Sequence, residues 1–344
     1  MSERLQSCSW ITRYPNNPVL SRENVPYEST LVFNAGVVRH EGKYVMVFRN
    51  DYTYRGGGRF AGTNIGLAFS DDGIHWQVEP KPCFDLETNP GLREEFGVPG
   101  DEILRCYDPR LTVIDGAVYM SFAVDTRHGL RGGIARTDNF TDFEILCLTV
   151  PDNRNMVLFP EKIGGMYLRL ERPMPVYSRG RDRFDIWMSE SPDLKYWGRS
   201  RLIAGVEDFP YANDKIGPGA PPVKTDRGWL VLTHGVDRDN SRGKNGWEDA
   251  WQKRYCAGML LLDLEDPGKV LGVYRHPLIA PETQYETAEG FRTQVIFPTA
   301  AIPEPDGTLK IYYGASDTVI ALATAPIDQL VDLCLAGEDD PASI

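Results

Sequence analysis

Residues 35–48 read AGVVRHEGKYVMVF and hold the pattern that decides the fold. An apolar strand runs into the turn Glu41-Gly42, and a strand rich in aromatic residues, 44–48, follows it. A third apolar strand, 65–69, ends in the turn SDDG at 70–73 and in Trp76. The same order recurs four more times. The second copy has 110–114, Asp115-Gly116, 118–122 and 133–136 with TDNF at 137–140. The third has 156–159, Gly164-Gly165, 166–170 and 186–189, leading to Ser191, Asp193 and Trp197. The fourth has 220–224, 226–228, 229–233 and 256–262; the fifth has 294–302, Asp306-Gly307, 309–313 and 318–323.

A strand–turn–strand–strand unit that cannot bury its own face, repeated five times, predicts an all-β, five-bladed β-propeller with the active site in a central channel. A non-repeating β-sandwich would also alternate apolar and polar residues. The recurrence of the aromatic second strand and the Asp/Ser-rich turn in one order favours the propeller. We expect one domain over residues 1–344, with blades at about 30–80, 105–148, 154–204, 215–280 and 292–330. Short helices are expected at 327–335 and, around Trp247 and Trp251, at 246–255.

Composition narrows the partners. The 37 basic and 49 acidic residues give a net charge of −12, which argues against nucleic acid or an anionic membrane as a partner of the whole surface. No run of about 18 apolar residues is present, and MSERLQSCSW lacks the features of a secretory signal, so a cytoplasmic location is expected. Cys8, Cys83, Cys106, Cys147, Cys256 and Cys334 show no CxxC or finger spacing, so neither a disulfide framework nor a metal site is expected.

In a propeller, equivalent strand ends of different blades meet at the channel. Ahead of the first strands stand Tyr107-Asp108, Arg154-Asn155, Lys215 and Arg292-Thr293-Gln294; after the second strands stand Arg49-Asn50-Asp51, Asp125, 169–172, His234 and Asp317. Each alone is as readily a solvated loop charge. Together they suit a polar substrate and an anion. Arg154, Arg172, Lys215 and His234 would bind phosphate, because guanidinium forks match its oxygens and an ammonium adds charge. Neither a Walker loop nor GxGxxG is present, which points to inorganic phosphate or a simple phosphoester rather than a nucleotide cofactor. Asp108, in YDPR at 107–110, reads locally either as a turn cap before Pro109 or as an acid at a strand entrance. Asp85, Glu87, Glu94 and Glu95 read as surface charge. Phe96, Trp247 and Trp251 read as aromatic platforms for a sugar or as subunit contacts.

The runs FNAGVVRHEGKYVMVFRNDY, YDPRLT after GDEILRC, Arg154-Asn155 ahead of VLFPEKIGGMYLRLERP, KIGPGAPPV and YYGASDTVIALA resemble glycoside hydrolase family 130, the β-mannoside phosphorylases and mannosidases. The resemblance runs from about Asn16 to Leu330. It implies a five-bladed propeller that cleaves a terminal β-mannosyl unit with phosphate, releasing α-mannose 1-phosphate with inversion. It implies Asp108 as the single catalytic acid. Arg154, Arg172, Lys215, His234 and Tyr107 would form the phosphate site, and Asn50, Arg59, Asn155 and Asp317 would hold the mannose. It also implies proton transfer through the sugar's own 3-hydroxyl, and a homo-oligomer. Inverting hydrolases need a second carboxylate to activate water, whereas phosphate arrives already anionic and needs only cations to place it. Phosphate is then a substrate, and no cofactor is expected. Hydrolytic members lack the paired arginines, so Arg154 and Arg172 favour phosphorolysis.

The linkage stays open between β-1,4, which is favoured, and β-1,2. Two other readings also stay open: a hydrolase using Asp125, Glu171 or Glu286 as its base, and a noncatalytic glycan-binding propeller.

Overall fold

A computed structural model describes residues 5–175, 177–179, 183–242 and 252–336. Five antiparallel sheets follow one another along the chain. From the inner strand outward, blade I runs Leu31–His40, Lys43–Tyr54, Phe60–Ser70 and Gln77–Val78. Blade II is built from Ile103–Ile114, Ala117–Thr126, Gly129–Thr137 and Glu144–Leu148. Blade III has Asn153–Leu158, Tyr167–Pro173, Ile186–Ser191 and Gly198–Ala204. In blade IV the inner edge is split into Lys215–Pro218 and Val223–Thr225, ahead of Gly228–Arg238, Lys253–Leu262 and Val270–Val273. Blade V has Ile296–Pro303, Thr308–Ala315 and Val319–Pro326.

The fourth strand of blade V comes from the other end of the chain: Thr12–Arg13 pairs with Thr324 and Ala323. A two-residue strand has no periodicity to read, so this closure was not foreseen. It is fastened by charge. Arg13 donates to Glu286 at 2.8 Å and to Glu282 at 2.7 Å. Glu286 is fully buried and also accepts from Tyr313 and from the backbone of Glu282 and Thr283. Burial works to raise the Glu286 carboxyl, but Arg13 and these donors outweigh it and hold it below the usual glutamate range. Glu286 is therefore committed to the closure. Arg13→Met is expected to destabilise the fold by about 3 kcal/mol, because it leaves a buried carboxylate without its cation. A lower chemical-denaturation midpoint checks this.

Each seam between neighbouring blades holds one apolar cluster. Val47, Leu67 and Met120 pack between blades I and II; Ile134, Met156 and Leu158 between II and III. Leu170, Met188 and Trp229 fill the next seam, and Leu232, Met259 and Ile311 the one between IV and V. Val37, Met46 and Tyr312 join blade V back to blade I. The period-2 alternation thus supplies two buried faces per sheet. The Asp-rich turns have a common cause. Asp72, Asn139, Asp193 and Asp263 each accept two backbone N–H groups in the link to the outermost strand, a side-chain mimic of a backbone turn.

Some expectations change. Residues 81–104 hold two 3-10 turns, Pro90–Phe96 and Gly100–Glu102, and Phe96 is buried against Phe122 rather than open to a sugar. Asp85 is buried and accepts from the Glu87 N–H and the Thr88 hydroxyl, so it is not a surface charge. The helix expected at 246–255 gives way to strand at its end, since Lys253–Leu262 begins there; Trp247 and Trp251 lie outside the described residues. The terminal helix forms as Ile327–Ala336 and covers the blade IV–V seam.

Candidate active site

Asp108 does not stand at a strand entrance. Its strand begins at Ile103, and Asp108 lies inside it, on a β-bulge between Tyr107 and Arg110. Blades I and III carry the same bulge at the same place, between Phe33 and Gly36 and between Arg154 and Val157. In each, the first bulged residue has a left-handed backbone: Asn34 (φ 51°), Asp108 (φ 55°) and Asn155 (φ 56°). Asn and Asp tolerate this region better than other side chains that carry a Cβ. An extra residue re-aims the side chain out of the ordinary alternation. Gly36 lets the inner strands of blades I and II meet here, since a Cβ would come within 2.7 Å of the Leu111 nitrogen.

The bulges bring Asn34 to Asp108. The Asn34 amide donates to Asp108 Oδ1 at 3.0 Å, and Arg49 Nη1 donates to the same oxygen at 3.2 Å. Burial works to raise the Asp108 carboxyl; Arg49, Arg110, Arg154 and Asn34 outweigh it and hold it below the ordinary aspartate range. The two arginines beside Asp108 in sequence do different things. Arg105 pairs with Asp125 at 2.5 Å, while Arg110 is buried and ties blade II to blade IV through the Gly219 carbonyl at 2.7 Å.

A second group is cationic. Tyr107 donates to Asp125 at 2.8 Å and receives a long bond from Arg154 Nη1 at 3.5 Å. Arg154 is paired in register with Arg172 on the next strand. Arg172 is 1% exposed and donates through Nη1 to His234 Nε2 at 2.9 Å, while its Nε and Nη2 have no partner. His234 is fully buried, stacked 4.4 Å from the Phe297 ring, with Nδ1 at 3.2 Å from the Pro218 carbonyl. Burial, then Arg172 and Arg154, push its pKa well below the ordinary histidine value. It is neutral: Nδ1–H donates to Pro218 and Nε2 accepts from Arg172. Gly217 makes room for this contact, since a Cβ there would lie 2.4 Å from His234 Cε1 and 2.9 Å from Arg172 Cδ.

Lys215 sits over the Phe184 ring at 4.5 Å. Burial, with Arg172 and Lys253 adding to it, pulls its pKa down to about 7. Burial and the nearby Arg154 likewise lower Arg172 to about 9. Like charges gathered in a low-dielectric site, with guanidinium donors left over, call for an anion. Lys215 carries a pH test. Only its protonated form adds an attractive charge, so the Lys215 share of anion affinity is present below about pH 7 and is lost above it. We expect the phosphate KM to rise about 10-fold between pH 7 and 8.5, and Lys215→Arg to flatten that rise. Initial rates at varied phosphate check it.

Asp317, from blade V, lies within electrostatic reach of Asp108 and Arg49. It has a left-handed backbone (φ 48°), pairs with Arg292 at 3.1 Å and has its pKa raised by burial. Asn155 is buried with its amide nitrogen unpartnered. Asn50 is fully buried within blade I, donating to the Glu28 carbonyl and to Asn64, and keeps an unpartnered Oδ1. Arg59 is exposed at the tip of the hairpin joining the second and third strands of blade I. Among the described residues, no hydrogen bond or ion pair ties Asn50 or Arg59 to the Asp108 network. Sequence reasoning left Asn34, Arg110 and Phe297 out of the site and did not single out Arg49. The aligned frames FNAG, YDPR and RNMV, with Asn or Asp second in each, were the signal for Asn34.

Of the carboxylates weighed as a hydrolytic base, Glu171 is buried and held by Asn153 at 2.7 Å and Arg169 at 2.9 Å. Asp125 is held by Arg105 and Tyr107.

A family model described as beta-1,4-mannooligosaccharide phosphorylase matches residues 3–336. The chain is 33% identical to the beta-1,4-mannooligosaccharide phosphorylase of Ruminococcus albus, over 94% of this chain and 90% of that protein. It is also 33% identical to the beta-1,2-mannobiose phosphorylase of Listeria innocua, over 78% of this chain and 67% of the relative. The solved structure of a beta-1,2-mannobiose phosphorylase from Listeria innocua, in complex with beta-1,2-mannobiose, superposes with a TM-score of 0.78 at 25% identity, covering 95% of this chain and 99% of that one.

Proposed function

The chain belongs to glycoside hydrolase family 130, and from that premise we infer an inverting β-mannoside phosphorylase that transfers a terminal β-mannosyl unit of a short oligosaccharide to inorganic phosphate, giving α-D-mannose 1-phosphate. The observation that carries this reading is Arg172. It is a fully buried guanidinium with two unused nitrogens, beside Arg154 and Lys215 and within one channel of Asp108. A hydrolase would need a carboxylate free to activate water. Asp125, Glu171 and Glu286 are each held in ion pairs, which supports a nucleophile brought in as phosphate.

In the proposed reaction, Arg154, Arg172 and Lys215 hold the phosphate dianion, and neutral His234 locks Arg172 from behind. The phosphate oxygen attacks the anomeric carbon from the face opposite the leaving sugar. Asp108 supplies the proton that the departing glycosidic oxygen takes up. Before phosphate binds, the surrounding arginines hold the Asp108 carboxyl below the ordinary aspartate range. Phosphate binding cancels part of that positive field, raising the carboxyl's proton affinity when the acid form is needed. In this reading Asn155, whose amide nitrogen has no protein partner, and Asp317 hold the mannosyl hydroxyls. No cofactor takes part.

The family description and the Ruminococcus relative support a β-1,4 linkage, and the Listeria relative supports β-1,2. We favour β-1,4. Six free thiols accord with a cytoplasmic enzyme, and among the described residues no helix is long and apolar enough to cross a membrane. Reverse synthesis tests the whole reading. Supplied with α-mannose 1-phosphate and a panel of mannose, glucose and N-acetylglucosamine acceptors, the enzyme should release phosphate and form a β-mannoside whose linkage is then assigned. Mannose formed at full rate without phosphate would overturn it.

A further inference from the structure

Arg49 is a charged side chain that the reaction so far does not use, yet every part of it is held. Its guanidinium lies between two rings, 4.5 Å from the centroid of Phe33 and 4.7 Å from that of Tyr107. Those rings immediately precede Asn34 and Asp108, so the two bulges that turn the site residues inward also present the clamp. Along one edge, Nε and Nη2 donate to Asp51, the latter at 2.7 Å, and Asp51 accepts in turn from Thr63 at 2.5 Å. The remaining nitrogen, Nη1, donates to Asp108 Oδ1. The arrangement leaves Arg49 one rotamer. It also leaves Asp108 with Oδ1 occupied, by Arg49 and Asn34, while neither bond uses Oδ2.

We propose that Arg49, clamped by Asp51 between Phe33 and Tyr107, is the positioning residue that aims Asp108 Oδ2 at the substrate and sets the pH range in which that oxygen carries the catalytic proton. The inference rests on Asp108 being the acid. As the glycosidic bond breaks, the Oδ2–H bond breaks and an O–H bond forms on the departing oxygen, directly or by way of a sugar hydroxyl. The negative charge left on the carboxylate is met at Oδ1 by Arg49 and Asn34. Other titratable groups act on this carboxyl besides Arg49 and its partner Asp51: Tyr107 and Arg110 on its own strand, Arg154 from blade III, and Asp317, paired with Arg292, from blade V. Arg49 is bonded to the carboxylate itself. An opposite charge at that range holds a carboxyl down by about 1–3 pH units.

The test compares wild type, Arg49→Gln and Arg49→Lys at saturating phosphate on two substrates. One is the β-mannobiose that the enzyme accepts. The other is 2,4-dinitrophenyl β-mannoside, whose leaving group departs without a proton. Arg49→Gln should lose about 100-fold on mannobiose, the scale of a misplaced catalytic group, and stay near the wild-type rate on the aryl mannoside. Its alkaline limb on mannobiose should move up by about one pH unit, and Arg49→Lys should return the limb toward wild type. Equal losses on both substrates, or an unmoved limb, would overturn the proposal. If Arg49→Gln does not fold, Asp51→Asn, which keeps the Arg49 charge but releases its clamp, must show the same split between substrates. A wild-type turnover in Asp108→Asn would instead remove the acid assignment on which the inference stands.

Discussion

Asp108→Asn lowers phosphorolysis of a β-mannobiose by about 1,000-fold, within the 10²–10⁴ that general acid catalysis supplies, while the protein folds and binds phosphate as wild type does. Asparagine keeps an oxygen that accepts from Asn34 and Arg49, so the bulge and its partners persist. What it lacks is the proton. A glycosidic oxygen that departs unprotonated is an alkoxide, and no other group in the described channel is placed to replace the acid: Asp125 is bound to Arg105 and Tyr107, and Asp317 to Arg292. The loss should therefore shrink sharply on 2,4-dinitrophenyl β-mannoside. Steady-state kinetics on both substrates decide it, and an Asp108→Asn enzyme that keeps its turnover on mannobiose removes Asp108 from its role.

The second large effect is on phosphate. Arg172→Met keeps much of the side chain's length and removes the guanidinium whose Nε and Nη2 have no protein partner. Two charge-assisted bonds at about 1.5–3 kcal/mol each predict a rise in phosphate KM of roughly 100-fold or more. Thermal stability gives a reading independent of turnover. A ligand at 100 times its Kd stabilises the folded state by about 2.7 kcal/mol, so millimolar phosphate should raise the wild-type melting temperature and leave that of Arg172→Met nearly unchanged. A variant with wild-type phosphate KM and the full thermal shift would move the anion elsewhere in the channel. His234 sharpens the test. Because it is held neutral behind Arg172, His234→Asn should act by loosening Arg172 rather than by removing a charge, and should give a smaller version of the same loss.

Much of the fold was legible because its causes are local. The turn after 70–73, and its counterparts at 137–140 and 191–194, follow from a side chain that accepts nearby N–H groups. The strands that these turns connect follow from alternation. The site was legible only as a set of blade-equivalent positions, and spacing did not give side-chain direction, which depends on register. Asn50 and Arg49 are neighbours, and a one-residue difference sends Arg49 to Asp108 and Asn50 to Asn64 inside the blade. Phe96, an exposed loop aromatic by its surroundings in sequence, is buried because the 3-10 turn at Pro90–Phe96 folds it onto Phe122. The closing strand Thr12–Arg13 is too short to carry any pattern, and its place depends on Thr324 and Glu286, some 270 to 310 residues away along the chain.

By itself the sequence determined five strand repeats, the residues that could serve as acid and as cations, and a family likeness that spans the chain. Those are properties of residue type and spacing, which exist before the chain folds. Tertiary structure alone decided that Asp108 sits on a bulge within its strand, that Arg49 is clamped against it, that His234 is neutral, and that Arg172 has nitrogens to spare. Each depends on which atoms meet across blades and how deeply they are buried. Burial and charge proximity set proton affinity, and both arise only when the ring of blades closes.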